Sequence, residues 1–425
     1  MSIKKKFIYN FISSILPIIF GIFIIPILIK NIGIERFGML TIAWMIIGYF
    51  GLLDMGLGRS LTQKVASRIG ASNLNNLRFL IFIIILILFF IGILTASMIY
   101  FFSETLIVNI FNISSEYHDE TIVGMVWLSL SIPFVLISTG LLGVLEGQQD
   151  FVKVAFVRAP LGILMMLFPL IIVQFTNSLQ WILCSLFFVR LLVSVLLIIL
   201  VSISTRTYVG NKIDIKELTS IFKFGGWVFI SNLISPIMVY FDRFYIASIL
   251  SVSVVAYYTT PFDVLIKILV IPYALVSVMF STFSTHWSCN NDLVEKYFKK
   301  SLLAIIIVMF PIILIAYLFA FEAMSLWLGD SFAIQSYEIL RVLSVGIFFN
   351  ALGMIPFAFI QSIGKPDLTA KIHLIELPVY VLLIYVFIKQ YGLIGAAYAW
   401  TFRTFLDTTI LYYISMKKFK LKGKK

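Results

Sequence analysis

The chain has 425 residues, 61% of them hydrophobic and only 12% charged, and its mean hydropathy is +1.06. Soluble domains carry roughly 25% charged residues, and a soluble fold of this length could not hide so much apolar surface, including 41 phenylalanines. The formal net charge of +12, from 32 Lys+Arg against 20 Asp+Glu, sits mostly in loops and tails, where it orients a membrane protein and does not mark a nucleic-acid surface.

A membrane crossing needs about 20 apolar residues. Apolar segments fall at 7–30, 38–58, 77–101, 121–145, 152–174, 179–202, 222–249, 254–284, 299–321, 336–361, 369–388 and 393–416, which predicts about twelve transmembrane helices. The first follows Lys4, Lys5 and Lys6 and is too long for the apolar core of a signal peptide, so it is expected to stay as an anchor. The seventh segment carries Pro236, Asp242 and Arg243, and the eighth carries Pro261, Asp263, Lys267 and Pro272. Both are long enough to span, but polar residues and proline interrupt them.

Loop charge tests the count independently. With the N-terminus inside, the cytoplasmic connections hold Arg59, Lys64, Arg68 and Arg78, then Arg206, Lys212 and Lys216, then Lys296, Lys299 and Lys300. The tail adds Lys417, Lys418, Lys420, Lys422, Lys424 and Lys425. The opposite connection at 102–120 has Glu104, Glu116, Asp119 and Glu120 but no Lys or Arg, and 322–338 has Glu322, Asp330 and Glu338. This alternation follows the positive-inside rule and places both termini in the cytoplasm. No connection is long enough to form a soluble catalytic domain. Cys184 and Cys289 lie far apart, and His118, His286 and His373 look isolated, so neither a disulfide framework, a metal site nor a cofactor is expected.

The connection Leu145-Glu146-Gly147-Gln148-Gln149-Asp150-Phe151 resembles Ser362-Ile363-Gly364-Lys365-Pro366-Asp367-Leu368. Each reads Gly-x-x-Asp-apolar, and Pro160 or Pro378 follows in the next helix. Arg190 and Arg403 then sit near the middle of the sixth and twelfth segments. These matches predict a parallel repeat of six helices. The expected division is an N-terminal six-helix bundle at 1–205, a cytoplasmic linker at 206–221, a C-terminal six-helix bundle at 222–416 and a basic tail at 417–425.

Ionisable groups at bilayer depth cost roughly 2.5–3.5 kcal/mol each, so they face a cavity or one another. Asp242, Arg243, Asp263 and Lys267 fall at similar depth. They suit either ion pairs between two helices or a cationic cavity lining tuned by carboxylates. Arg190 and Arg403 could bind a ligand or join helices, and Asp407, one turn after Arg403, could neutralise it. Asp54, within Leu53-Asp54-Met55-Gly56-Leu57-Gly58-Arg59, could cap, pair with Arg59 or couple an ion. Lys30 and Arg158 lie near span ends, where they can snorkel. Arg and Lys suit phosphate oxygens. Tyr240, Tyr245, Tyr257 and Tyr258 could stack on sugars or mark the membrane interfaces.

The first two segments read Asn10, Pro26, Lys30-Asn31-Ile32-Gly33-Ile34-Glu35-Arg36-Phe37-Gly38, and then Tyr49-Phe50-Gly51-Leu52-Leu53-Asp54-Met55-Gly56-Leu57-Gly58. With the turn at 147–150 and Gly395-Ala396-Ala397 before Arg403, this resembles the O-antigen and polysaccharide flippases of the multidrug/oligosaccharidyl-lipid/polysaccharide exporter superfamily. The resemblance implies an all-α, V-shaped fold of two bundles working by alternating access in the bacterial inner membrane. It implies translocation of an undecaprenyl-pyrophosphate-linked oligosaccharide, an O-antigen or capsule repeat unit, from the cytoplasmic to the periplasmic leaflet. It also implies coupling to H+ or Na+, with membrane lipids, a polysaccharide polymerase and a chain-length regulator as partners. On residue type and depth, the candidate substrate ligands are Arg243, Lys267, Arg190 and Arg403, and the candidate ion-coupling or charge-pairing residues are Asp54, Asp242, Asp263 and Asp407. A cation-coupled drug antiporter of the same superfamily would favour a mainly acidic cavity. A membrane polymerase or glycosyltransferase would need a large loop or an acidic metal-binding motif, which the sequence does not show.

Overall fold

The computed structural model describes residues 2–51, 54–105, 118–208, 210, 212, 214–250 and 252–422. Leu52, Leu53, Glu116, Lys424, Lys425 and the side chain of Tyr240 lie outside the described residues. Every regular element described is helical: α1 (Ile3–Phe50), α2 (Leu57–Gly70), α3 (Leu77–Thr105), α4 (His118–Gly147), α5 (Phe151–Val173), α6 (Leu179–Ser204) and α7 (Ile215–Ile249). There follow α8 (Val252–Lys267), α9 (Val270–His286), α10 (Asn291–Leu318), α11 (Ala320–Leu328), α12 (Asp330–Ser362), α13 (Pro366–Tyr391) and α14 (Leu393–Lys422). This is the expected response of such a sequence to lipid, which supplies no hydrogen bonds, so each span must satisfy its own backbone.

Among the described residues, nine helices are long and apolar enough to cross a bilayer, and the pair α8–α9 adds a tenth if its 44° bend lies within one span. Two of the twelve predicted segments fall short of that test, each for a visible reason. Segment 38–58 lies in the second part of α1, beyond a break at Gly33 (φ 81°, ψ 165°), and leaves the helix before Asp54. Segment 393–416 lies in α14, where Arg403, Asp407 and four threonines dilute an otherwise apolar helix. Three of those threonines fasten α14 to α12. Thr401 and Thr408 donate to the carbonyls of Val342 (3.0 Å) and Phe349 (2.7 Å), and the Thr404 hydroxyl is shared between Gly346 (3.3 Å) and the nearer Thr401 carbonyl of its own helix (2.9 Å). Hydroxyls that bond a neighbouring backbone are a standard device where hydrophobic burial cannot drive helix association.

Packing divides the chain into Met1–Phe229 and Ile230–Lys425, with the boundary inside α7. In the first unit α4 is central. Of its most apolar stretch 78% is buried, and it contacts α2, α3 and α6, while α1 lies along α5. In the second unit α12 is central, 61% buried over its apolar stretch, and contacts α9, α10 and α14. The peripheral spans α3, α5, α10 and α13 are only 22–28% buried over theirs, and they leave aliphatic and aromatic side chains facing outward.

The two similar connections fold alike, in a register two residues from the one the Gly-x-x-Asp match implies. Gln149 (φ 60°) and Gly364 (φ 81°) occupy the left-handed position. Their N–H groups reach the carbonyls of Glu146 and Gln361, and the next N–H groups, of Asp150 and Lys365, reach those of Leu145 and Ile360. Structurally, Gln149 therefore corresponds to Gly364 and Asp150 to Lys365, so the paired aspartates of the sequence match are not equivalent. Asp150 caps α5 by accepting from the Lys153 N–H at 3.2 Å, whereas α13 starts on Pro366, whose missing N–H is harmless at a first helical position.

Candidate functional site

The most polar buried region of the second unit is built from α7, α8, α13 and α14. His373, Glu376 and Tyr380 lie three and four residues apart on α13, hence on one face, and Arg403 and Asp407 share a face of α14. A ring nitrogen of His373, a Glu376 oxygen and an Asp407 oxygen all lie within 4.8 Å of one another. Arg403 Nη1 stands 3.9 Å from Glu376 Oε2 and 3.5 Å from Met238 Sδ, and its guanidinium covers the Tyr380 ring at 5.2 Å. The His373 ring hydrogen bonds the Ser231 backbone and stacks on Phe357 at 5.5 Å. Asp407 Oδ1, His373 Nδ1 and Arg403 Nε are buried, and both Glu376 oxygens find no donor while the carboxyls are ionised; with a proton shared between them, Glu376 and Asp407 hydrogen bond each other. Each buried polar group left unpaired costs about 1–3 kcal/mol, so the cluster is a poor device for stability.

Next to it, Asp242 is fully buried on α7 and accepts a short bond from the Tyr258 hydroxyl, a 3.5 Å bond from the Tyr380 hydroxyl and a 2.7 Å bond from the Arg243 N–H. The Arg243 guanidinium pairs with Asp263 at 2.6 Å and lies over Phe262, whose ring stacks on Tyr258 and meets Trp400 edge-on. Of the ion pairs expected between the two helices, Arg243–Asp263 forms, while among the described residues Lys267 has no carboxylate within ion-pair distance.

The first unit treats its charges differently. Arg158 donates from Nη1 to Asn10 Oδ1 and from Nη2 to Glu146 Oε1, both at 2.6 Å, so it is held in place and does not snorkel. Lys6 donates to Gln149, and Gln148 to the Tyr208 hydroxyl at 3.0 Å. Asp54 takes the N–H groups of Gly56 (2.8 Å) and Gly58 (2.9 Å) and so forms the turn into α2. Gly56 is left-handed (φ 68°), and a Cβ there would lie 2.3 Å from the Gly225 carbonyl, so only glycine fits. Beyond this turn Ser60 donates to the Ile221 carbonyl, and Lys64 (2.9 Å) and Arg68 (2.6 Å) hold Glu217. Arg190, midway along α6, buries its Nε without a partner and makes no ion pair among the described residues.

Comparison with known proteins bears on what this arrangement serves. The profile of the family described as "Polysaccharide biosynthesis protein" matches residues 27–335. A Shigella flexneri protein named "Putative O-antigen transporter" is 34% identical over 421 residues, 97% of this chain and 98% of its own length. The chain belongs to the polysaccharide biosynthesis protein family. A second member-like match, a Haloferax volcanii protein named as a probable low-salt glycan biosynthesis flippase, is 24% identical over 48% of this chain and 43% of its own. Solved structures share the fold at low identity. A transporter of the MOP superfamily from Pyrococcus furiosus superposes with a TM-score of 0.84 (16% identity, 100% of this chain and 98% of that one). A MATE protein in a bent conformation reaches 0.86 (16% identity, 100% and 97%). The chain is thus a multi-pass membrane protein with a transporter fold.

Within this family member, the sequence reading brought Asp407 and Arg403 together but left His373 isolated and passed over Glu376 and Tyr380. The structure corrects the isolation of His373, because the α13 face sets it beside Glu376 and the α14 face adds Asp407. The signal was present as His-x-x-Glu-x-x-x-Tyr inside an apolar segment. It goes unread if polar residues are searched for only as i,i+4 ion pairs or as matched positions of a repeat.

Proposed function

We propose that this chain is a flippase that moves an undecaprenyl-pyrophosphate-linked oligosaccharide, the repeat unit of an O-antigen or capsule, from the cytoplasmic to the periplasmic leaflet of the bacterial inner membrane. It works by alternating access, with both termini in the cytoplasm and a polysaccharide polymerase and chain-length regulator as downstream partners. The observation that carries the reading is the mid-helix cluster of Glu376, Asp407, His373 and Arg403, whose two carboxyls have only each other and one guanidinium for company, in a chain that over 97% of its length matches a protein named "Putative O-antigen transporter". Intramembrane groups that remain unsatisfied belong to pathways and relays more than to helix joining.

Two carboxylates against one guanidinium leave one negative charge, which a single added cation neutralises. An imidazole beside the carboxylates and a guanidinium 3.9 Å away suit a proton better than a metal ion that needs several oxygens. Asp407 is therefore the coupling residue, with Glu376 and His373 sharing its cation. Asp54 is assigned to the α2 turn, and Asp242 and Asp263 to positioning Tyr258 and Arg243. Of the four candidate ligands, Arg190 in the first unit and Lys267 in the second have no carboxylate partner among the described residues, and each is separately assigned to substrate phosphate. Arg243 and Arg403 are second-choice ligands because each already has a carboxylate.

The test is leaflet translocation of a lipid-linked glycan by the purified chain in proteoliposomes, with an imposed proton gradient and, separately, a sodium gradient. Translocation driven by the proton gradient, lost in Arg190→Ala and Lys267→Ala but kept in Arg190→Lys and Lys267→Arg, supports the reading. Normal translocation in both alanine variants at equal expression overturns the phosphate assignment, and a response to sodium alone overturns the proton.

A further inference from the structure

The charge cluster bears on α7 at a place where that helix is weak. Pro236 lies inside α7. A mid-helix proline removes an intrahelical hydrogen bond and presses its ring against the carbonyl four residues back, here that of Asn232. One residue earlier, Ser231 is buried, its hydroxyl has no hydrogen-bond partner, and its backbone is bonded by the His373 ring. The helix is held differently on the two sides of the proline. Its start packs in the first unit: Glu217 takes Lys64 and Arg68, and the Ile221 carbonyl takes Ser60, all from α2. Beyond the proline, Met238 meets Arg403 at 3.5 Å, and Asp242 accepts from Tyr258 and Tyr380. The boundary between the two packing units, Phe229–Ile230, falls just before Ser231. His373 therefore grips α7 between the boundary and the proline.

The same ring faces the acids. Among the described residues, the titratable and charged groups around His373 are Glu376 on its own helix and Arg403 and Asp407 on α14; α7 presents Ser231, and α12 the Phe357 ring. A neutral imidazole has one N–H donor and one acceptor nitrogen. Its Nδ1 is buried without a partner, so a ring whose N–H is spent on Ser231 can only accept. A proton shared by Glu376 and Asp407 can be offered to that nitrogen. Two bare carboxylates offer nothing, and as charged acceptors they attract the N–H more strongly than a neutral carbonyl does. We propose that His373 is a positioning residue for transport, which holds α7 beside its proline while the acid pair carries a proton and releases it when the proton leaves for solvent. Loading completes a hydrogen-bonded chain from acid to imidazole to the Ser231 carbonyl. Unloading draws the imidazole to a carboxylate and frees that carbonyl, so α7 can bend at Pro236. This inference deepens the proton-coupled reading above and rests on it.

The experiment follows backbone amide exchange over 232–238 in the full chain in nanodiscs, between about pH 5.5 and about pH 9.5, corrected for the intrinsic pH dependence of exchange. In the parent chain these amides should exchange about tenfold faster at the alkaline end. His373→Phe, which keeps a flat ring on Phe357 but has no N–H, should exchange at the fast rate throughout, changing less than about twofold across the range. His373→Leu decides the same point if the phenylalanine variant fails to fold. Pro236→Ala, which gives Asn232 back its intrahelical partner, should exchange slowly at both ends. A parent chain without a pH response, a response that survives the loss of His373, or one that survives Pro236→Ala overturns the proposal. A merely structural tie would raise exchange in His373→Phe uniformly and keep the pH response. Translocation driven by a proton gradient separates this from the reading beneath it. If the parent chain transports on that gradient and His373→Phe does so equally well, the role of His373 falls and proton coupling stands. If α7 responds through His373 but no proton gradient drives transport, the grip on α7 stands and proton coupling falls.

Discussion

The α4–α5 and α12–α13 junctions share a backbone and differ in what they do with charge. In the register of their turns, Glu146 corresponds to Gln361 and Arg158 to His373. At the first junction the carboxylate and guanidinium meet at 2.6 Å, and Asn10 takes the other arm of the arginine. At the second, Gln361 donates to the Thr369 hydroxyl at 3.3 Å, and His373 turns to Glu376 and Asp407, two carboxyls that no arginine bonds at close range and that can satisfy each other only by sharing a proton. A satisfied charge network holds helices in one arrangement. An unsatisfied one gains from whatever cation arrives and can prefer different arrangements with and without it.

The largest expected effect separates these two roles. Glu376→Gln and Asp407→Asn should each reduce translocation at least a hundredfold at equal expression, while Glu146→Gln should stay within about threefold of the parent chain. Equal losses in all three would erase the distinction. Next in size is stability. Arg158→Met leaves Glu146 buried without its partner and should cost about 1–3 kcal/mol, read as a lower thermal midpoint in detergent. Adding Glu146→Gln should recover more than half of that loss, because the orphaned charge has gone, and a double-mutant cycle measures the coupling. Glu376→Gln, by contrast, should lower the midpoint less than Arg158→Met does, since its ion pair with Arg403 is long at 3.9 Å and Asp407 remains beside the guanidinium. An equal or larger fall there would make the cluster structural.

The sequence exposed the helical membrane class well, because hydropathy and loop charge are one-dimensional signals and both follow from the bilayer. It also exposed the likeness of the two junctions, but in a register off by two, since the letters Gly-x-x-Asp align Gly147 with Gly364 while the backbone aligns the left-handed residues Gln149 and Gly364. Half of the charge cluster was legible: Arg403 and Asp407 are one turn apart on one helix. Glu376 was not, because its charged partners Arg403 and Asp407 come from α14, and its polar neighbours on α13, His373 and Tyr380, form no carboxylate–cation pair at i,i+4. The Tyr258–Asp242 bond joins two helices in the same way. Contacts between helices depend on helix rotation, which local spacing leaves open, and here the Thr401, Thr404 and Thr408 ladder supplies one visible constraint on it.

The smallest effects lie at the turns themselves. A non-glycine residue in the left-handed region costs roughly 1–2 kcal/mol, so Gly364→Ala should lower the thermal midpoint by an amount equivalent to about 1 kcal/mol with translocation unchanged. Gln149 bears that backbone cost in the wild-type chain while accepting a hydrogen bond from Lys6. Gln149→Gly would relieve about 1 kcal/mol of backbone strain and forfeit a bond from a charged donor worth about 1.5 kcal/mol. The two nearly cancel, leaving a loss of roughly 0.5 kcal/mol. Lys6→Met alone should cost the bond without the relief, and so more than Gln149→Gly. If Gln149→Gly instead stabilises the chain by about 1 kcal/mol, the Lys6 bond contributes nothing to the first junction.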